Sequence, residues 1–183
     1  MKSDDIPFSY PVKVGHISAN PVEVTISADD RERAGLAALW NVLEVKALSA
    51  TFQVQRWKRD GVRLKGRVEA DIVQACVVTL EPVEAHIDEP VEVVFVPEGS
   101  RLARMPVATE GGEMLLDPEG PDAPEVFSGD SIDAGAVAAE YAALAIDPYP
   151  RRSDAAFAGH TESRAGDDRK PSPFAVLKDW KKD

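Results

Sequence analysis

Apolar and polar residues alternate with a period of two in several stretches of the first hundred residues. Val22, Val24 and Ile26 alternate with Glu23, Thr25 and Ser27, the pattern of a strand with one face buried. Phe8, Tyr10, Val12 and Val14 do the same, with Pro11 marking an edge or an irregularity. Two longer stretches, Leu48 to Trp57 and Val62 to Cys76, are rich in β-formers and flank Arg59-Asp60-Gly61. An Asp-Gly step between such stretches predicts a hairpin turn. Further strands are expected at 83–87 and 91–96, separated by Asp88-Glu89-Pro90, and short ones around 114–116 and 125–127.

Two stretches change to the helical period. Asp29 and Glu32 have the spacing of a capping box, and behind them Leu36, Leu39, Trp40 and Leu43 fall on one face of a helix over about 30–43. Asp133 can cap a second helix to about 146, with Val137, Tyr141 and Leu144 as its buried stripe. Asp147-Pro148-Tyr149-Pro150 ends it, because a residue before proline avoids the helical region. Strands that adjoin through short turns favour antiparallel pairing. The expected fold is therefore α+β: a mostly antiparallel, curled sheet with two main helices. Residues 1–152 read as a single domain, 153–172 as a small, polar, flexible linker, and 173–183 as a short amphipathic C-terminal segment.

Charge divides the chain. The net charge is −11, but residues 46–67 carry seven basic groups against one acid, and residues 81–147 carry two arginines against sixteen acids. A compact basic segment followed by a long acidic one allows two differently charged surfaces, or simply two solvated faces. No apolar stretch is long enough to span a bilayer. Met1-Lys2-Ser3-Asp4-Asp5 lacks the apolar core of a secretion signal, and Cys76 is the only cysteine, which suits a reducing cytoplasm.

Little in the sequence suggests catalysis. Phosphate-binding glycine loops and the Gly-x-Ser-x-Gly elbow are missing. His16, His86 and His160 are dispersed, so with one cysteine the expectation is no metal and no cofactor. Asp117, Glu119 and Asp122 sit among Pro118, Gly120 and Pro121 without the spacing of a calcium loop. No catalytic residue is assigned, and the chain is expected not to be an enzyme.

The basic hairpin remains as candidate chemistry. Arg63, Lys65 and Arg67 occupy alternate positions and should project from one strand face, with Arg56, Trp57, Lys58 and Arg59 at the turn. Clustered cations attract backbone phosphates, and an aromatic side chain offers a stacking surface to single-stranded bases. These seven residues are the candidates for RNA binding, and reversing the exposed strand charges is expected to perturb stability little. The competing reading is a soluble hairpin whose edge charges discourage aggregation.

Four stretches in register resemble a known family. They are Cys76-Val77-Val78-Thr79-Leu80-Glu81-Pro82-Val83; Ile132-Asp133 leading to Val137-Ala138-Ala139-Glu140-Tyr141; Leu144-Ala145-Ile146-Asp147-Pro148-Tyr149-Pro150-Arg151; and Pro173-Phe174-Ala175-Val176-Leu177. Together they resemble the YceD family of large-subunit ribosomal RNA accumulation proteins, in the form found in its alphaproteobacterial branch. The resemblance implies a cytoplasmic ribosome biogenesis factor that binds precursor large-subunit rRNA or an assembly partner. Some relatives carry a Cys-x-x-Cys pair at the position of Cys76 and further cysteines after the Pro-x-x-Pro region; here the second cysteine is Thr79, so no ligand is carried over. Two mechanisms stay open: direct rRNA contact through the hairpin, or an acidic 81–147 surface that holds a basic ribosomal protein as a chaperone would.

Overall fold

The structure is a computed structural model that describes residues 6–17, 20–103 and 123–155, with the backbone of two short strands at 109–110 and 113–114. The expected C-terminal amphipathic segment and most of the expected linker lie outside the described residues.

A five-stranded open sheet dominates the fold, in the order β2 (Val22–Ser27), β3 (Glu44–Trp57), β4 (Gly61–Ala75), β5 (Pro82–Pro97) and β8 (Glu125–Phe127). The first four are antiparallel neighbours and β8 joins β5 in parallel. Two small ladders complete the architecture. One pairs β1 (Pro11–Lys13) with β9 (Ser131–Asp133), and the other pairs β6 (Thr109–Glu110) with β7 (Glu113–Met114). Helices α1 (Asp30–Trp40) and α2 (Ala134–Leu144) make the fold α+β, as the periodicity predicts.

The core forms where even-numbered residues of β3 and β4 face the helices. Leu48, Ala50, Phe52 and Val54 of β3 and Leu64, Val68, Ala70 and Ile72 of β4 are all buried, together with Leu36 of α1 and Ala138 of α2. Each fully buried leucine, isoleucine, valine or phenylalanine among them contributes roughly 1.5–3 kcal/mol of transfer free energy. The odd-numbered residues turn to the opposite face, which carries Thr51, Gln53, Arg63, Lys65 and Arg67.

Local chemistry explains most element ends. Asp29 accepts from the Glu32 amide while Glu32 accepts from the Asp29 amide, both at 2.8 Å, so the capping box starts α1 as expected. The helix stops at Trp40, three residues earlier than its apolar stripe suggests. Asn41 adopts the left-handed conformation (φ 54°), and Val42 N–H bonds back to Ala37 O at 3.1 Å in the manner of a Schellman closure. Of the expected stripe only Leu36 is buried; Leu39 is 48% and Leu43 58% exposed. The stripe expected on α2 behaves similarly, with Val137 buried and Leu144 77% exposed. Asp133 caps α2 through Ala136 N–H and also accepts from Ser9 Oγ at 2.6 Å and Tyr10 N–H at 2.8 Å. That contact draws the N-terminal segment across the helix start, where a Cβ on Gly135 would lie 2.6 Å from Tyr10 N.

Two expected strands prove to be one. Pro90 does not divide 83–87 from 91–96, because β5 runs unbroken from Pro82 to Pro97. At Pro90 the strand has a neighbour only on the β4 side, since β8 pairs no further back than Phe95. A missing N–H is tolerated at such an edge.

Candidate nucleic-acid interface

The β3–β4 hairpin closes through Lys58, Arg59 and Asp60, with Trp57 opposite Gly61. The left-handed residue of the turn is Lys58 (φ 51°) and not Gly61. Glycine is needed at 61 for a different reason: a Cβ there would lie 2.8 Å from the Trp57 ring and 3.0 Å from Phe95 O. The Asp-Gly step thus correctly marks the hairpin but misplaces its turn by one residue. Trp57 lies against Gly61, with Lys58 Nζ 4.1 Å from the ring centroid, a cation–π distance.

The seven candidates do not form a single patch. Trp57, Arg63, Lys65 and Arg67 share the solvent face of the sheet, as strand alternation requires. Lys58 and Arg59 belong to the turn. Arg56 has the opposite parity and lines a small crevice with Val14, Ile17, Asp60, Gly61 and Val62.

The three strand cations are also occupied. Because β5 lies antiparallel beside β4, its carboxylates reach the same face: Glu92 bonds Arg63 and, at 3.5 Å, Lys65, while Asp88 bonds Arg67. The hydrogen bond from Arg63, with the charges of Arg63 and Lys65, holds the Glu92 carboxyl below its ordinary pKa. The ladder continues along the sheet with Asp71 to His86 at 2.7 Å and Lys46 to Glu84. Acidic residues of β5 therefore neutralise the basic strand. The two oppositely charged segments of the sequence meet along β4 and β5.

The tip differs. Among the described residues no carboxylate pairs with Arg56, Lys58 or Arg59. Antiparallel pairing places the end of β5 beside the tip, Val62 opposite Phe95, and so adds Arg101, which no local pattern singles out. Arg59, Asp60, Gly99, Ser100, Arg101 and Leu102 line one open cavity of about 520 Å³. Arg101 is exposed and has no described ion-pair partner either. Arg101 could have been found from the sequence only by pairing β4 with β5 and asking what lies past the end of β5.

At the other end of the sheet, Cys76 opens the turn between β4 and β5 and is fully buried. The Thr79 hydroxyl and the backbone N–H groups of Arg152 and Thr79 lead the interactions that lower its pKa to about 6, against desolvation. Cys76 N–H bonds Glu81 O, and Val77 N–H bonds Pro150 O at 2.9 Å, so the chain after α2 is tied to this turn. Among the described residues no group of three or more His, Cys, Asp or Glu side chains is arranged to hold a metal ion. No helix there is long and apolar enough to cross a membrane.

The fold and this surface define an α+β protein with an open, mostly antiparallel sheet, a charge-paired solvent face and a cationic hairpin tip. The chain belongs to the YceD family: the family model described as "Large ribosomal RNA subunit accumulation protein YceD" matches residues 64–181. That membership ties the chain to accumulation of large-subunit ribosomal RNA and so to ribosome biogenesis. The match begins inside β4, and the hairpin tip precedes it. No curated protein and no solved structure matches the chain.

Proposed function

We propose that this chain is a non-catalytic, cytoplasmic ribosome biogenesis factor that contacts precursor large-subunit rRNA through the tip of the β3–β4 hairpin. The observation that carries this reading is the contrast in charge pairing: Lys58, Arg59, Arg56 and the neighbouring Arg101 have no described carboxylate partner, whereas Arg63, Lys65 and Arg67 have one each. Unpaired cations beside an aromatic ring suit the phosphates and bases of an unpaired RNA segment. On this reading Arg63, Lys65 and Arg67 are a secondary surface, since a phosphate must first displace Glu92 or Asp88. Exposed pairs of this kind are weak enough to exchange.

Salt titration of binding to single-stranded large-subunit rRNA fragments tests the reading. Each phosphate contact should contribute a slope of about −0.7 in log K against log salt, so three contacts give about −2. Salt-independent binding to rRNA would overturn the reading, and binding only to an isolated basic ribosomal protein would instead support the acidic-chaperone mechanism. That mechanism has less acidic surface to draw on than the charge count of residues 81–147 suggests, because Glu84, Asp88 and Glu92 are committed to β3 and β4.

A further inference from the structure

Leu39 and Trp40 of the α1 stripe and an alanine face of α2 border one groove. Ile6, Leu39 and Trp40 face Ala136, Ala139, Glu140 and Ala143 across a cavity of about 610 Å³. Alanines at 136, 139 and 143 recur on one face of α2 and give it a low floor, while Leu39 and Trp40 form a wall. Leu43, just past α1, and Leu144, the last residue of α2, are exposed apolar side chains as well. An exposed apolar patch of this kind marks a contact surface.

The sequence supplies a matching occupant. In a helix, Phe174, Leu177 and Trp180 fall on one face at i, i+3 and i+6, and Lys178, Lys181 and Lys182 outnumber Asp179 and Asp183 around them. The groove carries the complementary charge. Glu140 lines it, and Glu125 lies near enough that Glu140 adds to partial burial in raising the Glu125 pKa. Both helices end at the groove without a basic residue in the last turn, and lysines are favoured beside such ends.

The path of the chain fits as well. Leu43 N–H bonds Val73 O at 2.8 Å, Gln74 Nε2 bonds Asp147 O at 2.8 Å, and Val77 N–H bonds Pro150 O. The end of the described chain therefore leaves from the same end of β4 that adjoins the groove. The stretch 156–172 can span up to roughly 55–60 Å when extended, far more than the few residues of β4 that separate the two points.

We propose that residues 173–180 fold back onto their own domain and occupy the α1–α2 groove, with Phe174, Leu177 and Trp180 covering Leu39, Trp40 and the alanine floor. The segment acts as an intramolecular clasp and shields the one large apolar groove among the described cavities.

NMR of the full-length chain tests the proposal. Replacing Phe174, Leu177 and Trp180 together with alanine should shift the Leu39, Ala139 and Ala143 amides and the Trp40 indole signal, and leave Lys58 and Arg59 unmoved. A peptide of residues 173–183 added to that variant should reverse the shifts at about millimolar concentration, since a tether of this length supplies an effective concentration of that order. Leu39→Glu, on the groove side, should move the Trp180 indole signal to its position in the free peptide. Unchanged groove signals in the triple variant would overturn the proposal. Shifts that grow with protein concentration would overturn it in favour of a second copy in the groove. Groove signals that move only on adding ribosomal particles would assign the groove to another protein.

Discussion

The hairpin tip and the strand face behind it are built from the same residue types and differ in what the third strand brings to them. On the face, β5 sets Glu92 and Asp88 against Arg63, Lys65 and Arg67. At the tip, β5 ends and its following turn brings another arginine, Arg101. Clustered cations are therefore ion-paired in one place and, among the described residues, without an ion pair in the other. Counting Lys and Arg along a strand reports what is present; the ability to hold an RNA phosphate depends on the neighbouring carboxylates as well.

The largest effect is expected from Lys58→Glu, Arg59→Glu and Arg101→Glu combined. This variant should weaken binding to rRNA fragments strongly and remove about 2 from the salt slope, while stability changes within about 0.5 kcal/mol per site. Filter binding across a salt series and thermal melting check both. Full binding by this variant would break the contrast between tip and face.

Reversing Arg63, Lys65 and Arg67 to glutamate should weaken RNA binding less than the tip variant and destabilise the fold more. Three acids would then face Glu92 and Asp88, and like charges opposite one another on a sheet are unfavourable. The tolerance expected of exposed positions therefore does not extend to these three. A melting temperature several degrees lower than wild type, recovered by adding Glu92→Lys and Asp88→Lys, is the expected outcome.

Glu92→Gln with Asp88→Asn should free the strand cations and strengthen RNA binding at low salt, with a steeper salt slope than wild type. No gain would mean that the face never contacts RNA, sharpening the assignment to the tip.

The smallest effect concerns His86, whose pKa is raised above 6.5 chiefly by its hydrogen bond to Asp71. A raised folded-state value stabilises the protein below pH 6.5, and the contribution disappears as pH rises through the raised value. The difference in melting temperature between wild type and His86→Gln should therefore be greatest in mild acid and vanish in mild alkali. A difference that grows with pH would contradict the pairing.

Much of this architecture was legible from local pattern. Alternation at 22–27 and along the hairpin arms marks the strands, because consecutive side chains of a strand face opposite ways. Asp29, Glu32 and Asp133 mark helix starts through bonds spanning three residues, a range that sequence displays directly. Helix ends were less legible: Leu43 continues the apolar period of α1, but Asn41 turns the backbone left-handed before it. Pro90 misleads for a related reason, since a proline breaks a strand only where a ladder bond is needed, and the need depends on neighbours.

Fold class, the two helices, the hairpin, the shared face of Arg63, Lys65 and Arg67 and the opposite parity of Arg56 are readable along the chain, because periodicity and capping act between residues close in it. Only the tertiary structure placed Glu92 and Asp88 on the strand cations and brought Arg101 to the tip. Those outcomes follow from the register of β4 against β5, where the partners of one charge lie more than twenty residues away. Electrostatic pairing depends on separation in space, and a pattern read along the chain contains that distance only once the strands are paired.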